Sequence, residues 1–586
     1  MCGFYGVIGR DPREVKWPGG LSHRGPDSEG EYSSGNIYIK HFRLAILGEE
    51  KFAHQPMVSL DNRIILAYNG EIYNYKEIAE YMGDPELSAH GDTRVLAEFL
   101  SRYGLERLEM LNGMFAIAMY DIRYKTLTLV RDRFGVKPLY YFHDGGSFFF
   151  SSEIKSFKGI AGLSVKSEKV TDYLDLGIYP SGRETFFDNI RQVQASTMVR
   201  FSDGDITESR YFDICEETRK LSGTSLYPER YEELLSDSIR LRLRSDVPIS
   251  LHYSGGTDST ALLLKTKEVW GWDYPIVAYT MAFSEEEVDE SSLAAKYCDS
   301  IGVETRRVIL SPEEVPALAG ELAYYEDEPY AGVPVIAYLK LNRQERESGF
   351  IVSIEGQGGD ETFGGYLYHA YMAMYDLVLS GENKELLDAL LKANNTDIVK
   401  VKDIATRLIA SGFTAHMDLT DFRERSGEPA VMFMDWLRTI QVHDIMVNKI
   451  PRTLRFHDRA SMACGREIRF PLLDHNVLSY GLALGHEEKF KLGLNKYPLR
   501  MIIKRYLKDV YSVPKRSVVT PQTLWFRGKL KKWVFDRVAL LKEKKVLPDR
   551  YFQRCDEFYS RAREDNSFYI WQLVNLSFFL DGKVIK

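Results

Sequence analysis

Residues 248–260 read Pro248-Ile249-Ser250-Leu251-His252-Tyr253-Ser254-Gly255-Gly256-Thr257-Asp258-Ser259-Thr260. A strand-like run, Pro248–Tyr253, gives way to a glycine turn, and a helix is predicted to begin near Thr260. A turn that opens a helix presents backbone N–H groups to an anion, and its glycines allow close approach. GxxxxGK(S/T) occurs nowhere in the 586 residues, so this is no Walker loop. Downstream, Ile276–Phe283, Glu304–Leu310 and Phe350–Ile354 read as strands and Ser291–Ser300 as a helix. Such alternation predicts an α/β domain with a parallel sheet, followed by a largely helical part to Lys586.

Upstream the texture differs. Short β-like runs occur at Asn36–His41, Arg63–Tyr68, Met114–Tyr120, Thr126–Val130, Leu139–Phe142 and Ser147–Phe150. Turn signals such as Asp144-Gly145-Gly146 and Asp203-Gly204 separate them. With helices near Tyr75–Tyr81 and Thr93–Arg102, residues 1–212 are expected to form an α+β domain of layered antiparallel sheets. The polar, aperiodic stretch 213–228 is the expected linker, and 213–586 the second domain.

The composition is that of a globular chain, 44% hydrophobic and 27% charged. No run of about 18 apolar residues exists, so no membrane partner is expected. The net charge of −8 argues against nucleic acid. Met1-Cys2-Gly3-Phe4 does not open a secretory signal, and five widely spaced cysteines fit neither a disulfide framework nor a zinc site. A reducing cytoplasm is the expected location.

Cys2 stands out because removal of Met1 would set its thiol beside a free α-amine. That amine, with a pKa of roughly 8, can take the thiol proton near neutral pH. A distinctive series follows: His23-Arg24-Gly25-Pro26-Asp27, Arg43-Leu44-Ala45-Ile46-Leu47, Gln55-Pro56-Met57, Asn69-Gly70-Glu71-Ile72-Tyr73-Asn74, Gly91-Asp92-Thr93, Asn112-Gly113-Met114-Phe115-Ala116, Arg131-Asp132-Arg133-Phe134-Gly135-Val136-Lys137-Pro138 and Ser151-Ser152-Glu153-Ile154-Lys155. In this order it resembles the glutaminase domain of class II amidotransferases, which have an N-terminal-nucleophile fold. The resemblance implies Cys2 as nucleophile and Asn69 and Gly70 as oxyanion donors. It also implies a glutamine site of Arg43, Leu44, Ala45, Ile46, Leu47, Asn69, Gly70, Glu71 and Asp92. A guanidinium suits the glutamine carboxylate, and Glu71 and Asp92 suit its ammonium. Arg131, Asp132 and Lys137 are expected as internal ion pairs shaping the domain interface. Arg94 departs from the family's usual Glu.

A second glycine element, Glu355-Gly356-Gln357-Gly358-Gly359-Asp360-Glu361-Thr362-Phe363-Gly364-Gly365-Tyr366, follows the Phe350–Ile354 strand. Glu361 stands where a GxGxxG fingerprint needs its last glycine. Asp327-Glu328-Pro329, the run Asp458–Asp474 and Lys496-Tyr497-Pro498-Leu499-Arg500 complete the pattern. With the Ser254–Ser259 turn, these resemble the ATP-pyrophosphatase-type domain of glutamine-hydrolysing asparagine synthetases.

The resemblance implies ATP bound by Tyr253, Ser254, Gly255, Gly256, Asp258, Ser259, Met281, Glu355 and Gly356. It implies Mg²⁺ held by Asp258 and Asp360, with Lys496 catalytic. Glutamine hydrolysis would then feed ammonia to an acyl-adenylate of aspartate. Gln357 and Ile354-Glu355 depart from the family's frequent Glu and Leu-Ser, and residues around 370–430 are extra. Another small carboxylate, such as a sugar uronic acid of surface polysaccharide assembly, is the alternative acceptor. A regulatory protein with an inert synthetase half is a different class, against which intact Asp258, Asp360 and Lys496 argue. A homodimer is compatible with the family.

Overall fold

The first strand, Cys2–Ile8 (β1), is buried at all seven positions, so both of its faces must be covered. In the computed structural model, which describes residues 2–9, 15, 17, 19–221, 226–285, 288–413, 433, 435–512, 520–560, 567–581 and 584–585, they are. Twelve more strands follow in the N-terminal half: β2 (Ser28–Ser34), β3 (Ile37–Arg43), β4 (Met57–Val58), β5 (Ile64–Ile72), β6 (Gly113–Asp121), β7 (Thr126–Arg131), β8 (Tyr140–Asp144), β9 (Ser147–Ser151), β10 (Ser164–Val165), β11 (Arg191–Gln192), β12 (Thr197–Ser202) and β13 (Asp205–Arg210). One sheet runs β11-β8-β9-β1-β3-β2 and another β13-β12-β7-β6-β5-β4. All their pairings are antiparallel.

Period-2 alternation explains the layers. Phe4 and Ile8 of β1 meet Ile65 and Ala67 of β5 and Ala116 and Ala118 of β6 between the sheets. Ile64, Leu66 and Tyr68 face the other way, onto the helices Tyr75–Tyr81 and Asp92–Tyr103. Val7 and Phe149 turn outward into a core shared with Leu322, Tyr330 and Trp571 of the C-terminal half.

That half contains β14 (Ile249–His252), β15 (Val277–Phe283), β16 (Glu304–Leu310), β17 (Val352–Ile354) and β18 (Glu467–Arg469). They form one parallel sheet in the order β16-β15-β14-β17-β18. The chain builds outward from β14 to β16, then returns to β14's other side with β17. The crevice at the carboxyl ends of β14 and β17 is therefore the topological switch point, where open α/β sheets bind ligands. Helices make up most of the remainder; a short β19 (Val584–Ile585) pairs with β10.

Two expectations change, and the extra region takes its predicted helical form where it is described. The helix after β14 begins at Thr257, not near Thr260, so Asp258 and Ser259 lie in its first turn. The stretch expected as an aperiodic linker contains a helix, Ile214–Leu221, which packs on the helix His475–Ala483 through buried Ile214 and Thr218. The extra region carries helices Leu367–Ser380, Lys384–Ala393 and Ile398–Ala410; its residues 414–430 lie outside those described.

Candidate active sites

Cys2 pairs with Arg43 across β1 and β3, which sets the thiol-bearing residue beside the loop 44–48. The Cys2 backbone nitrogen donates to Asn69 Oδ1 at 3.0 Å. Asn69 is fully buried in β5, and its Nδ2 has no hydrogen-bond partner among the described residues. An unpaired buried donor costs about 1–3 kcal/mol, so a bound oxygen there would relieve a real penalty. Gly70 has φ 152°, and an added Cβ would lie 2.0 Å from Met114 O, so no side chain fits. Burial pushes the Cys2 thiol up, with a backbone hydrogen bond from Leu44 acting in the opposite direction.

Near this pair lie a guanidinium and two buried acids. Arg43 Nη2 donates to Leu47 O and Gly48 O, and its Nε and Nη1 bond to no described residue. The loop is braced by Asp27, which accepts the Ala45 N–H at 2.7 Å. From the C-terminal half, Asp246 takes the Gly48 N–H at 2.9 Å. Glu71 and Asp92 are both buried, and burial raises both carboxyls above their ordinary range. Asp92 accepts from the Tyr68 hydroxyl and the Ile72 N–H. Among the described residues Glu71 Oε2 has no hydrogen-bond partner, and Arg469 lies 3.7 Å from Glu71 Oε1. Two crowded buried acids suit an incoming ammonium. Arg94 does not disturb them: it turns to Val58 O and Glu98, each at 3.0 Å.

In the C-terminal half the two glycine turns meet. Ser254 and Ser259 hydroxyls lie 3.1 Å apart, and Ser254 Oγ accepts the Gly256 N–H at 3.3 Å, which holds the first turn in shape. Tyr253 N–H donates to Tyr279 O in β15, two residues from partly buried Met281. Lys496, buried and in the left-handed region at φ 54°, brings its Nζ to 2.6 Å from Asp258 and 2.5 Å from Asp360. Burial pulls this lysine's pKa down, but the two carboxylates outweigh it and raise it. An added Cβ on Gly365 would lie 1.8 Å from Asp360 Oδ1, so the second turn is shaped around that carboxylate. Two converging carboxylates beside a helix N-terminus are the hard oxygen donors Mg²⁺ requires, so the residues fit the ion.

A family model described as asparagine synthase matches residues 230–581, more than half of the chain. The chain belongs to the asparagine synthase family. A second model, a glutamine amidotransferase domain, matches residues 1–212. A glutamine-hydrolysing asparagine synthetase of Bacillus subtilis is 26% identical, with 98% of this chain and 95% of that one covered. The amidase chry2 of Gibberella zeae is 24% identical over 89% of this chain and 86% of its own length. Among solved structures, the glutamine phosphoribosylpyrophosphate amidotransferase of Bacillus subtilis covers 52% of this chain and 66% of its own, at 16% identity and a TM-score of 0.27. As a member of the asparagine synthase family with an amidotransferase half, the protein is a glutamine-dependent carbon–nitrogen ligase.

Between the two sites of this family member lies a buried charge network that the sequence did not announce. Arg24 Nε donates to Cys2 O at 3.1 Å, and its two terminal nitrogens grip Asp458 at 2.8 and 3.0 Å. Glu153 joins Arg24 at 2.6 Å and Arg459 at 3.1 Å. Lys155 contacts Glu153 and lies 3.3 Å from Asp327. Asp327 and Glu328 accept the Ile154 and Phe186 N–H groups.

Arg131 and Asp132 are not the interface ion pairs expected. Arg131 spends its guanidinium on the carbonyls of Gly135, Lys137 and Val193. Asp132 accepts four backbone N–H groups, those of Phe115, Phe134, Val136 and Lys137, because the 131–138 loop has no ladder of its own. Lys137 alone crosses the interface, 4.0 Å from Asp458. Glu355, expected among the ATP contacts, turns its side chain to His252 and His457. No described helix is long and apolar enough to cross a membrane.

Proposed function

We propose that this chain hydrolyses glutamine at Cys2 and passes the ammonia to an acyl-adenylate formed from ATP and a small carboxylate, aspartate first among candidates. One arrangement carries the reading: Asn69, with one end on the Cys2 nitrogen and the other without a partner among the described residues. Once Met1 is removed, that nitrogen is the α-amine, and Asn69 Oδ1 holds it beside the thiol. The amine takes the thiol proton, which burial makes hard to lose to water. The thiolate attacks the glutamine carboxamide. Asn69 Nδ2 and the Gly70 N–H meet the oxyanion, ammonia departs, and water releases glutamate from the thioester. Arg43 holds the α-carboxylate, and Glu71 with Asp92 the α-ammonium.

At the second site the acceptor carboxylate attacks the α-phosphorus of ATP and pyrophosphate leaves. The Ser254–Ser259 turn and the N-terminus of the following helix receive the phosphates. Lys496 balances the charge that builds on the pyrophosphate. Mg²⁺, held by Asp258 and Asp360, would supply further charge neutralisation there. Ammonia then displaces AMP to give the amide. Residues 1–212 and 213–586 serve as the two working units.

Two results test this reading. Cys2→Ala should abolish glutamine hydrolysis while amide formation from added ammonia persists; hydrolysis at the wild-type rate would falsify the nucleophile. A panel of aspartate, glutamate and uronic acids, assayed for ATP-dependent pyrophosphate release, identifies the acceptor. Activity with a uronic acid and none with aspartate would move the product from asparagine to a sugar amide. Gln357, a neutral amide bonded to Glu355, favours keeping that alternative in the panel.

A further inference from the structure

His252 closes β14 and Glu355 follows β17; the register Leu251↔Ile354 sets them side by side at the switch point. The helix Lys449–Met462 brings a second histidine, His457, to the same carboxylate. Glu355 Oε2 meets His457 Nδ1 at 2.8 Å and His252 Nδ1 at 3.3 Å. Its Oε1 accepts the Tyr338 hydroxyl at 2.8 Å and the Gln357 amide at 3.0 Å.

The two histidines differ in their other nitrogen. His252 Nε2 lies 2.8 Å from Glu345. Burial pulls His252 down, but Glu345 and Glu355 outweigh it and raise it to about 9, so His252 carries the positive charge. Glu355 is buried, yet His457 and His252 hold it well below the usual carboxylate range. An ionised carboxylate only accepts, so His457 Nδ1 carries the hydrogen of that contact. In its neutral form the ring then has its lone pair on Nε2. That nitrogen bonds to no described residue.

The position matches a chemical need. Ammonia that attacks an acyl-adenylate must shed a proton, and Gln357 beside the glycine turn cannot take one. His457 also lies next in sequence to Asp458, which Arg24 ties to Cys2 O. His457 thus adjoins in sequence the residue that Arg24 links to Cys2 O, and its partner Glu355 adjoins Gly356.

We propose that His457 Nε2 is the base of the amide-forming step, oriented by Glu355; this rests on the two-site reading above. The ammonia lone pair forms the C–N bond while the carbonyl pair moves to oxygen. His457 Nε2 takes one proton from the nitrogen. The carbonyl re-forms, the bond to the AMP phosphate breaks, and AMP leaves with that pair. The titratable groups facing His457 are Glu355, His252 and Tyr338, with Asp458 beside it on its own helix.

The test uses the full-length enzyme, wild type and His457→Asn. The Asn amide keeps a donor toward Glu355 and lacks the distal ring nitrogen. Acid-dependent exchange of pyrophosphate into ATP reads adenylate formation, amide formation from added ammonia reads the later step, and glutamine hydrolysis reports folding. Exchange and hydrolysis should stay within about twofold of wild type while amide formation falls roughly 100-fold or more. Amide formation within about threefold of wild type, or exchange falling in step with it, overturns the assignment. Should the variant misfold, the wild-type rate, corrected for free ammonia, must fall at acid pH with the slope of one proton; a flat profile rejects His457. Failure of every acid to support exchange in the wild type would reject the two-site reading instead.

Discussion

Asn69 Oδ1 accepts the Cys2 N–H at 3.0 Å while Asn69 Nδ2, also buried, bonds to no described residue. One residue therefore holds the Cys2 nitrogen and keeps a donor in reserve. Asn69→Asp keeps the acceptor and removes the donor. Glutamine hydrolysis should fall about 100- to 1000-fold in kcat, with ammonia-dependent synthesis unchanged. Equal kcat in steady-state assays of mutant and wild type would remove Asn69 from the oxyanion site.

Lys496 holds Asp258 and Asp360 together. Asp258→Asn and Asp360→Asn should each lower pyrophosphate release by orders of magnitude, because a charged ligand is lost where phosphoryl charge develops. Lys496→Met should do the same while leaving two facing carboxylates without their cation. Glutamine hydrolysis, measured in parallel, should survive in all three. Full pyrophosphate release in both Asp variants would rule out the two-carboxylate magnesium site.

Asp458→Ala leaves Arg24 with one of its two carboxylates and strips the contact from Lys137. Breaking a buried pair by removing one partner costs about 3–5 kcal/mol. Thermal unfolding should shift down by several degrees. An unchanged melting curve would show that the network is not buried in solution.

Among the described residues Glu326's two buried carboxylate oxygens take no hydrogen bond, and Arg455 Nε approaches only to 3.6 Å. Burial outweighs Arg455 and pushes this carboxyl up to about 8. The folded state then binds more protons than the unfolded state between the ordinary glutamate pKa and about 8. Stability contributed at this site is therefore lost as pH rises through that window. Glu326→Gln, neutral at every pH, should melt higher than wild type, by a margin that widens from pH 6 to 8. A constant margin across that range contradicts the buried proton.

Local chemistry was legible and distant pairing was not. The turns at 254–259 and 355–366 announce themselves because glycines and acids cluster within a few residues. Arg24 and Asp458 are 434 positions apart, and each alone reads as surface charge. β18 escaped notice because Glu467 and Arg469 look like loop residues. They are buried because Arg469 satisfies Glu467 and the carbonyls of Arg242 and Arg244. Ile214–Leu221 passed for a linker because only Ile214 and Thr218 turn inward, too few for a periodic signal. His457 offered no motif at all; only the fold brings it to Glu355.

The mesh of Arg24, Lys137, Glu153 and Lys155 with Asp327, Glu328, Asp458 and Arg459 bears on how such enzymes can be recombined. A graft of a foreign glutaminase onto this synthetase would bury each mismatched charge at the seam. Exchangeable parts in this chain are therefore defined by matched charge sets on both sides of the seam, and a chimera must carry all of these positions together to close.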